Sequence, residues 1–166
     1  MLGWLLIEKI QGGHATTLGG ASGAVAGLVA ITPCAGFVGG VAPIFIGLAA
    51  GVICYLAIGL KKKLKVDDSL DVIAVHLVGG LTGSILLGFF ADTQYNSLGF
   101  DGIFAGGGTD LLLDQLVAAG ATMLFSGVLT FVIAKAIDLT MGLRIDEDAE
   151  NTGLDLSQHA ETAYSA

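Results

Sequence analysis

From Ile10 to Leu60 the chain carries no Asp, Glu, Lys or Arg. Ordinary soluble domains do not tolerate such a stretch, because charged residues make up roughly a quarter of their composition, against 13% here. A membrane-crossing helix takes about 20 predominantly apolar residues, so the stretch holds two spans. Two further charge-free windows follow, Val72 to Ala91 and Gln115 to Ala134. The glycines show no Gly-X-Y period, and an apolar share of 54% excludes disorder. The sequence therefore predicts an all-α, polytopic membrane protein: four complete transmembrane helices, an N-terminal helix stub and a C-terminal tail. No internal repeat is visible.

Punctuation residues set the boundaries. The stub, Met1 to Ile10, lacks the basic start and cleavage site of a secretory signal and reads as the end of a helix that began earlier. It stops at the polar turn Gln11-Gly-Gly-His14. Spans are expected over 16–33, 37–60, 70–91 and 113–141. Gly19, Gly23 and Gly27 recur every fourth residue and predict one close-packing face. Pro33-Cys-Ala-Gly36 divides the first two spans, and Pro43 is expected to kink the second. Cys34 and Cys54 lie in or beside apolar segments, without the spacing of a disulfide framework or zinc site, and read as small packing residues.

Charge placement predicts orientation. Lys61, Lys62, Lys63 and Lys65 cluster at the end of one span and mark the cytoplasmic side. The connection from Asp92 to Asp114 carries four aspartates and no basic residue, as expected of an external loop. Lys135 and Arg144 then return to the lysine side, so the C-terminus is expected in the cytoplasm. Of the fifteen acidic residues, six lie beyond Arg144, and the net charge of −8 largely describes that tail. The expected division is a membrane domain over 1–142 and a cytoplasmic tail over 143–166.

Few residues within the spans could carry chemistry. His76 is the one ionisable group between Val72 and Ala91, and an intramembrane ionisable residue is a functional-site hypothesis by default. Gly79, Gly80 and Gly83 fall on its helical face, so it is expected to point into a closely packed interior. The other reading is a neutral imidazole making one structural hydrogen bond. Asp71 is either a substrate carboxylate or a group suited to a helix N-terminus. Asp67, Asp68 and Ser69 offer capping groups. The hydroxyls of Thr32 and Ser22 either line a path or satisfy backbone groups, and His14 reads as a solvated loop residue. The lysine cluster suits anionic lipid heads. No phosphate loop, Cys-x-x-Cys, Gly-x-Ser-x-Gly, cofactor-binding motif or nucleic-acid surface is present; enzyme function and a nucleic-acid partner are not expected.

The run Thr17-Leu-Gly-Gly-Ala-Ser-Gly-Ala-Val-Ala-Gly-Leu-Val-Ala-Ile-Thr-Pro33 strongly resembles the signature of the ammonium transporter (Amt/Mep/Rh) family. Asp67-Asp-Ser-Leu-Asp-Val-Ile-Ala-Val-His76 followed by Val78-Gly-Gly80 is similar to the family's tenth helix, and Gly142-Leu-Arg144, Gly153-Leu-Asp155 and His159-Ala-Glu-Thr-Ala-Tyr164 are similar to its cytoplasmic tail. The resemblance implies the eighth to eleventh helices of an eleven-helix, trimeric channel of the cell (plasma or inner) membrane that conducts ammonium or ammonia. It implies that His76 is the second of the family's paired pore histidines, and that Asp71 and Asp68 lie near the pore's cytoplasmic end. Thr32 and Ser22 would be lining candidates. Gly153, Leu154, Asp155, His159, Glu161 and Tyr164 would belong to a tail through which PII-type signal proteins can block the channel. The chain departs from the family pattern in three places: Leu77 stands where glycine commonly follows the histidine, Ala160 replaces the glycine of the tail's His-Gly-Glu, and Gly12-Gly-His-Ala15 lacks the usual lysine and proline. The family's first pore histidine and aromatic gate fall on helices outside this sequence. A truncated, non-transporting membrane fragment or assembly subunit is the alternative expectation.

Overall fold

The computed structural model describes residues 1–162, with nothing described of the Lys62 side chain; Tyr164 lies outside the described residues. Two compact units are present, Met1–Gly120 and Ala121–Ala166. All regular elements among the described residues are helical: α1 (Leu2–Gly12), α2 (Thr17–Ile31), α3 (Ala42–Leu64), α4 (Val78–Phe90, continuing a π-helical turn over Ile73–Leu77), α5 (Asp110–Thr140), α6 (Glu147–Thr152) and α7 (Leu154–His159). Four stretches are long and apolar enough to cross a membrane: Thr17–Cys34, Ala42–Lys61, Ile73–Phe90 and Asp110–Thr140. These are the four expected spans, with shifted ends.

Each shift has a local cause. Pro33 closes α2 in a 3-10 turn over Thr32–Cys34, and the chain then passes through Gly36 and Gly40 at φ 83° and 58° before α3 starts at Ala42. Pro43 therefore lies in the first turn of α3, where its missing N–H costs no helical hydrogen bond, and not at the expected kink. At the start of α2 the Thr16 hydroxyl accepts from the Gly19 N–H at 2.9 Å, a cap of the ordinary kind. Glu8 reaches from α1 to accept from the Thr16 N–H at 3.1 Å and hydroxyl at 2.8 Å.

Packing in the first unit rests on small residues. The buried face of α2 is Gly19, Gly23, Ala26 and Ala30. The expected stripe of three glycines thus holds for Gly19 and Gly23 only: a Cβ on Gly27 would meet nothing within 4 Å. The alanines carry the stripe onward, because a straight helix drifts off a strict four-residue spacing. On α4, a Cβ at Gly83 would collide with the Ala30 carbonyl oxygen and lie 2.8 Å from Pro33 Cγ. The Cys34 thiol donates to the Gly83 carbonyl at 3.2 Å, sealing the same crossing. Nearer the lysine end of α3, Trp4, Ala26, Cys54 and Val75 form a second buried cluster, with Trp4 edge-on to Tyr55 at 5.6 Å between ring centroids. Without a hydrophobic drive between helices in lipid, such close backbone approach is what holds the spans together.

The connection between α4 and α5 is pinned by its own carboxylates. Asp101 accepts from the Thr93 N–H at 2.7 Å, and this bond, with the Thr93 hydroxyl, holds its carboxyl below the ordinary range. Tyr95 covers Gly39, where no larger residue would fit.

In the second unit, Arg144 makes a two-pronged pair with Glu150 at 2.9 and 3.0 Å. Gly153, at φ 98°, breaks α6 from α7. Ala160 ends α7 in the left-handed region at φ 54°, a conformation that glycine adopts freely and alanine does not.

Candidate functional site

The site is built where α3 turns back into the π turn. Asp68 presents both carboxylate oxygens to the start of the next helix: Oδ1 accepts from the Val72 N–H and Oδ2 from the Ile73 N–H, each at 2.9 Å. This is the capping role expected for the Asp67–Ser69 segment. The Ile73 N–H, aided by the Val72 N–H and the Lys61 charge against a desolvation effect of opposite sign, holds the Asp68 carboxyl below the ordinary carboxylate range. The capping contribution is therefore complete above the ordinary Asp value near 3.9 and disappears as pH falls through the lower folded value. Asp68→Ala is expected to lower thermal stability at neutral pH, with the gap from wild type closing in acid. Melting curves in detergent from neutral to about pH 2 check this, and a gap independent of pH would refute it.

Asp71 is not left facing its own helix terminus. Its Oδ1 accepts from Lys61 Nζ on α3, and Lys61 Nζ also donates to the Asp68 carbonyl. Asp71 has φ 57°, a left-handed conformation uncommon outside glycine and tolerated better by Asp and Asn than by most residues. Lys61 belongs to the cluster expected to meet lipid heads, yet its side chain is only 15% exposed. Sequence reasoning missed this partnership. The available signal was the hairpin itself, which returns Asp71 beside Lys61 across a short connection between two long apolar helices.

Beyond Asp71 the helix carries one extra residue. The Val75 N–H bonds back to the Asp71 carbonyl at 2.8 Å, while the Val78 N–H reaches five residues back to the Ile73 carbonyl, as π turns do. In an uninterrupted α-helix Val72, Val75, His76, Gly79 and Gly83 would share one face. The inserted residue changes the phase: Ala74 and Val75 are buried and Val72 and His76 are exposed. The expectation that His76 points into a closely packed interior is thus corrected. Gly79 and Gly83 face Cys54 and Ala30, whereas a Cβ on Gly80 would meet nothing within 4 Å, so His76 and Gly80 border the open side of the helix.

The other sequence-predicted residues have local settings of their own. The Thr32 hydroxyl donates to the Leu28 carbonyl at 2.7 Å, which is the backbone-satisfying alternative. Ser22 is half-buried on α2. His14 is exposed in the turn after α1. Gly153, Leu154, Asp155, His159 and Glu161 belong to the second unit. Among the described residues no group of three or more His, Cys, Asp or Glu is placed to hold a metal ion.

Four helices long and apolar enough to cross a membrane, three of them (α2, α3 and α4) closely packed through small residues and one of those three carrying an ionisable side chain, define a polytopic helical membrane protein. The model of the Ammonium Transporter Family matches residues 1–164, and the chain belongs to that family. An ammonium transporter of Mycobacterium tuberculosis is 47% identical over 169 residues, covering 99% of this chain and 35% of that protein. One from Bacillus subtilis is 48% identical over 163 residues, covering 98% and 40%. The crystal structure of Saccharomyces cerevisiae Mep2 is similar with TM-score 0.82 at 33% identity, over 89% of this chain and 34% of that one. The chain thus spans between a third and two-fifths of the length of these relatives.

Proposed function

We propose that the chain is the C-terminal part of an ammonium channel, and that His76 lines its pore. The observation supporting this is the presentation of His76 on the open side of a span that is otherwise packed against α2 and α3. Moving a permanent cation through an apolar passage is expensive, whereas a neutral molecule beside a hydrogen-bonding imidazole is not. Ammonium would lose its proton on one side, cross largely as ammonia and regain a proton on the other. An imidazole has an unperturbed pKa near 6.5 and suits such handling. Asp71 and Asp68 stand at the cytoplasmic end of this path, in an orientation taken from the lysine cluster, with the tail in the cytoplasm of a multi-pass protein of the cell membrane. Thr32 and Ser22 remain lining candidates of lower rank, since Thr32 spends its hydroxyl proton on its own helix. The complete channel is read as a homotrimer.

The test is transport. Carried within its complete reading frame, the segment is expected to support uptake of methylammonium, a traceable ammonium analogue, in cells lacking other ammonium carriers. Loss of selective uptake would refute the reading. Reconstituted alone in liposomes, the chain distinguishes a competent channel, which gives flux, from a non-transporting fragment, which gives none.

The tail is read as a docking element for a PII-type protein, on the resemblance of its Gly-Leu-Asp and His-Ala-Glu motifs. Deleting 151–166 is expected to weaken PII binding at least about tenfold, a loss of about 1.4 kcal/mol. Equal affinities of intact and truncated proteins in a calorimetric titration would rule this out.

A further inference from the structure

We propose that Lys61 is a positioning residue for His76, acting through the turn at Asp71. This rests on the reading of His76 as a pore residue. The contacts form an unbroken chain. Lys61 Nζ holds both the Asp71 carboxylate and the Asp68 carbonyl. Asp68 in turn caps Val72 and Ile73, the residues that open the π turn carrying His76. Asp71 itself is in the left-handed region, a conformation that persists only where the surroundings over-determine it.

The low exposure of Lys61 separates it from Lys63 and Lys65, which are exposed. A lysine serving only to meet lipid heads has no need of two oxygens from a neighbouring turn. Removing its charge takes from Asp71 its ion-pair partner among the described residues and unties the left-handed turn from α3, leaving the Asp68 cap to hold it alone. The π turn is then free to anneal into regular α-helix. That change turns His76 by one residue, about 100°, toward the face where Gly79 and Gly83 approach Cys54 and Ala30. That face is closely packed, so His76 exchanges its open setting for a crowded one and loses its defined orientation.

Imidazole NMR on the chain in lipid nanodiscs tests the proposal, with the His76 signals assigned by their loss in His76→Gln. Lys61→Met is expected to shift and broaden the His76 signals while those of His14 and His159 stay in place, and Lys61→Arg is expected to restore them. Unmoved His76 signals in folded Lys61→Met, or the same shift in Lys61→Arg, would overturn it. If Lys61→Met does not fold, Lys61→Met combined with Asp71→Asn leaves no unpaired charge, and its His76 signals are judged by the same two outcomes. In the complete transporter, Lys61→Met is expected to lower the maximal rate of methylammonium uptake at least tenfold with KM within about twofold, and an unchanged rate counts against the proposal. The pore reading fails separately: normal uptake with unchanged electrogenicity in His76→Ala removes it, whereas the imidazole measurement on Lys61 variants stands without any transport.

Discussion

His76→Ala in the complete transporter is expected to lower methylammonium uptake on the order of a hundredfold, the lower end of what a positioned proton-transfer group contributes, or to change whether charge accompanies the substrate. Within this chain the side chain is exposed on the open face of its span, so its removal creates no cavity among the residues packed there. Substitutions at such positions usually change stability by no more than about 0.5 kcal/mol. The prediction is thus of a folded protein with a damaged path, and uptake must be measured beside a melting curve. Unchanged uptake together with unchanged electrogenicity would end the role assigned to His76. A large loss of stability would instead mean that the histidine is a packing residue.

Gly83→Val is expected to have the opposite signature, a loss of folding at the crossing of α2 and α4. The added Cβ would sit on the backbone carbonyl of Ala30, with the Ala30 carbonyl carbon and Pro33 Cγ both 2.8 Å away. No rotamer relieves a backbone collision, so the helices must part, losing the Cys34 to Gly83 hydrogen bond and the buried contacts of Ala30 and Leu87. Overpacking of this kind costs about 3 kcal/mol or more where backbone must move. Gly80→Ala, three residues earlier on the open side, is the matched control. Nothing lies within 4 Å of its added Cβ, so it is expected to be neutral or to stabilise by up to about 1 kcal/mol through the better helix propensity of alanine. The single Trp4, buried against Tyr55, reports unfolding by fluorescence as denaturing detergent is added. Comparable costs for the two variants would show that the packed face has been misassigned.

How much of this was legible beforehand differs from element to element. The four spans were readable because hydrophobic length and the position of charge are local properties, and a bilayer admits few other solutions. The family was readable from ordered motifs. Gly19 and Gly23 were correctly placed on a packing face, and Asp68 as a capping group. The readings that needed correction concerned direction around a helix axis, the starting residue of a span and the partner of Lys61. Pro43, expected as a kink within a span over 37–60, lies in the first turn of α3 because Gly36 and Gly40 delay its start. Thr32, open in the sequence between lining a path and satisfying backbone groups, donates its hydroxyl proton to its own helix.

The sequence by itself determined that this chain is a bundle of membrane-spanning helices of the ammonium transporter family, because apolar length, charge-free windows and motif order survive in one dimension. The direction of His76 and the partner of Asp71 were decided only in three dimensions. One extra residue in a π turn rotates everything before it relative to everything after, and a lysine read as a mark of membrane orientation becomes a counter-ion once the hairpin folds it back against the aspartate.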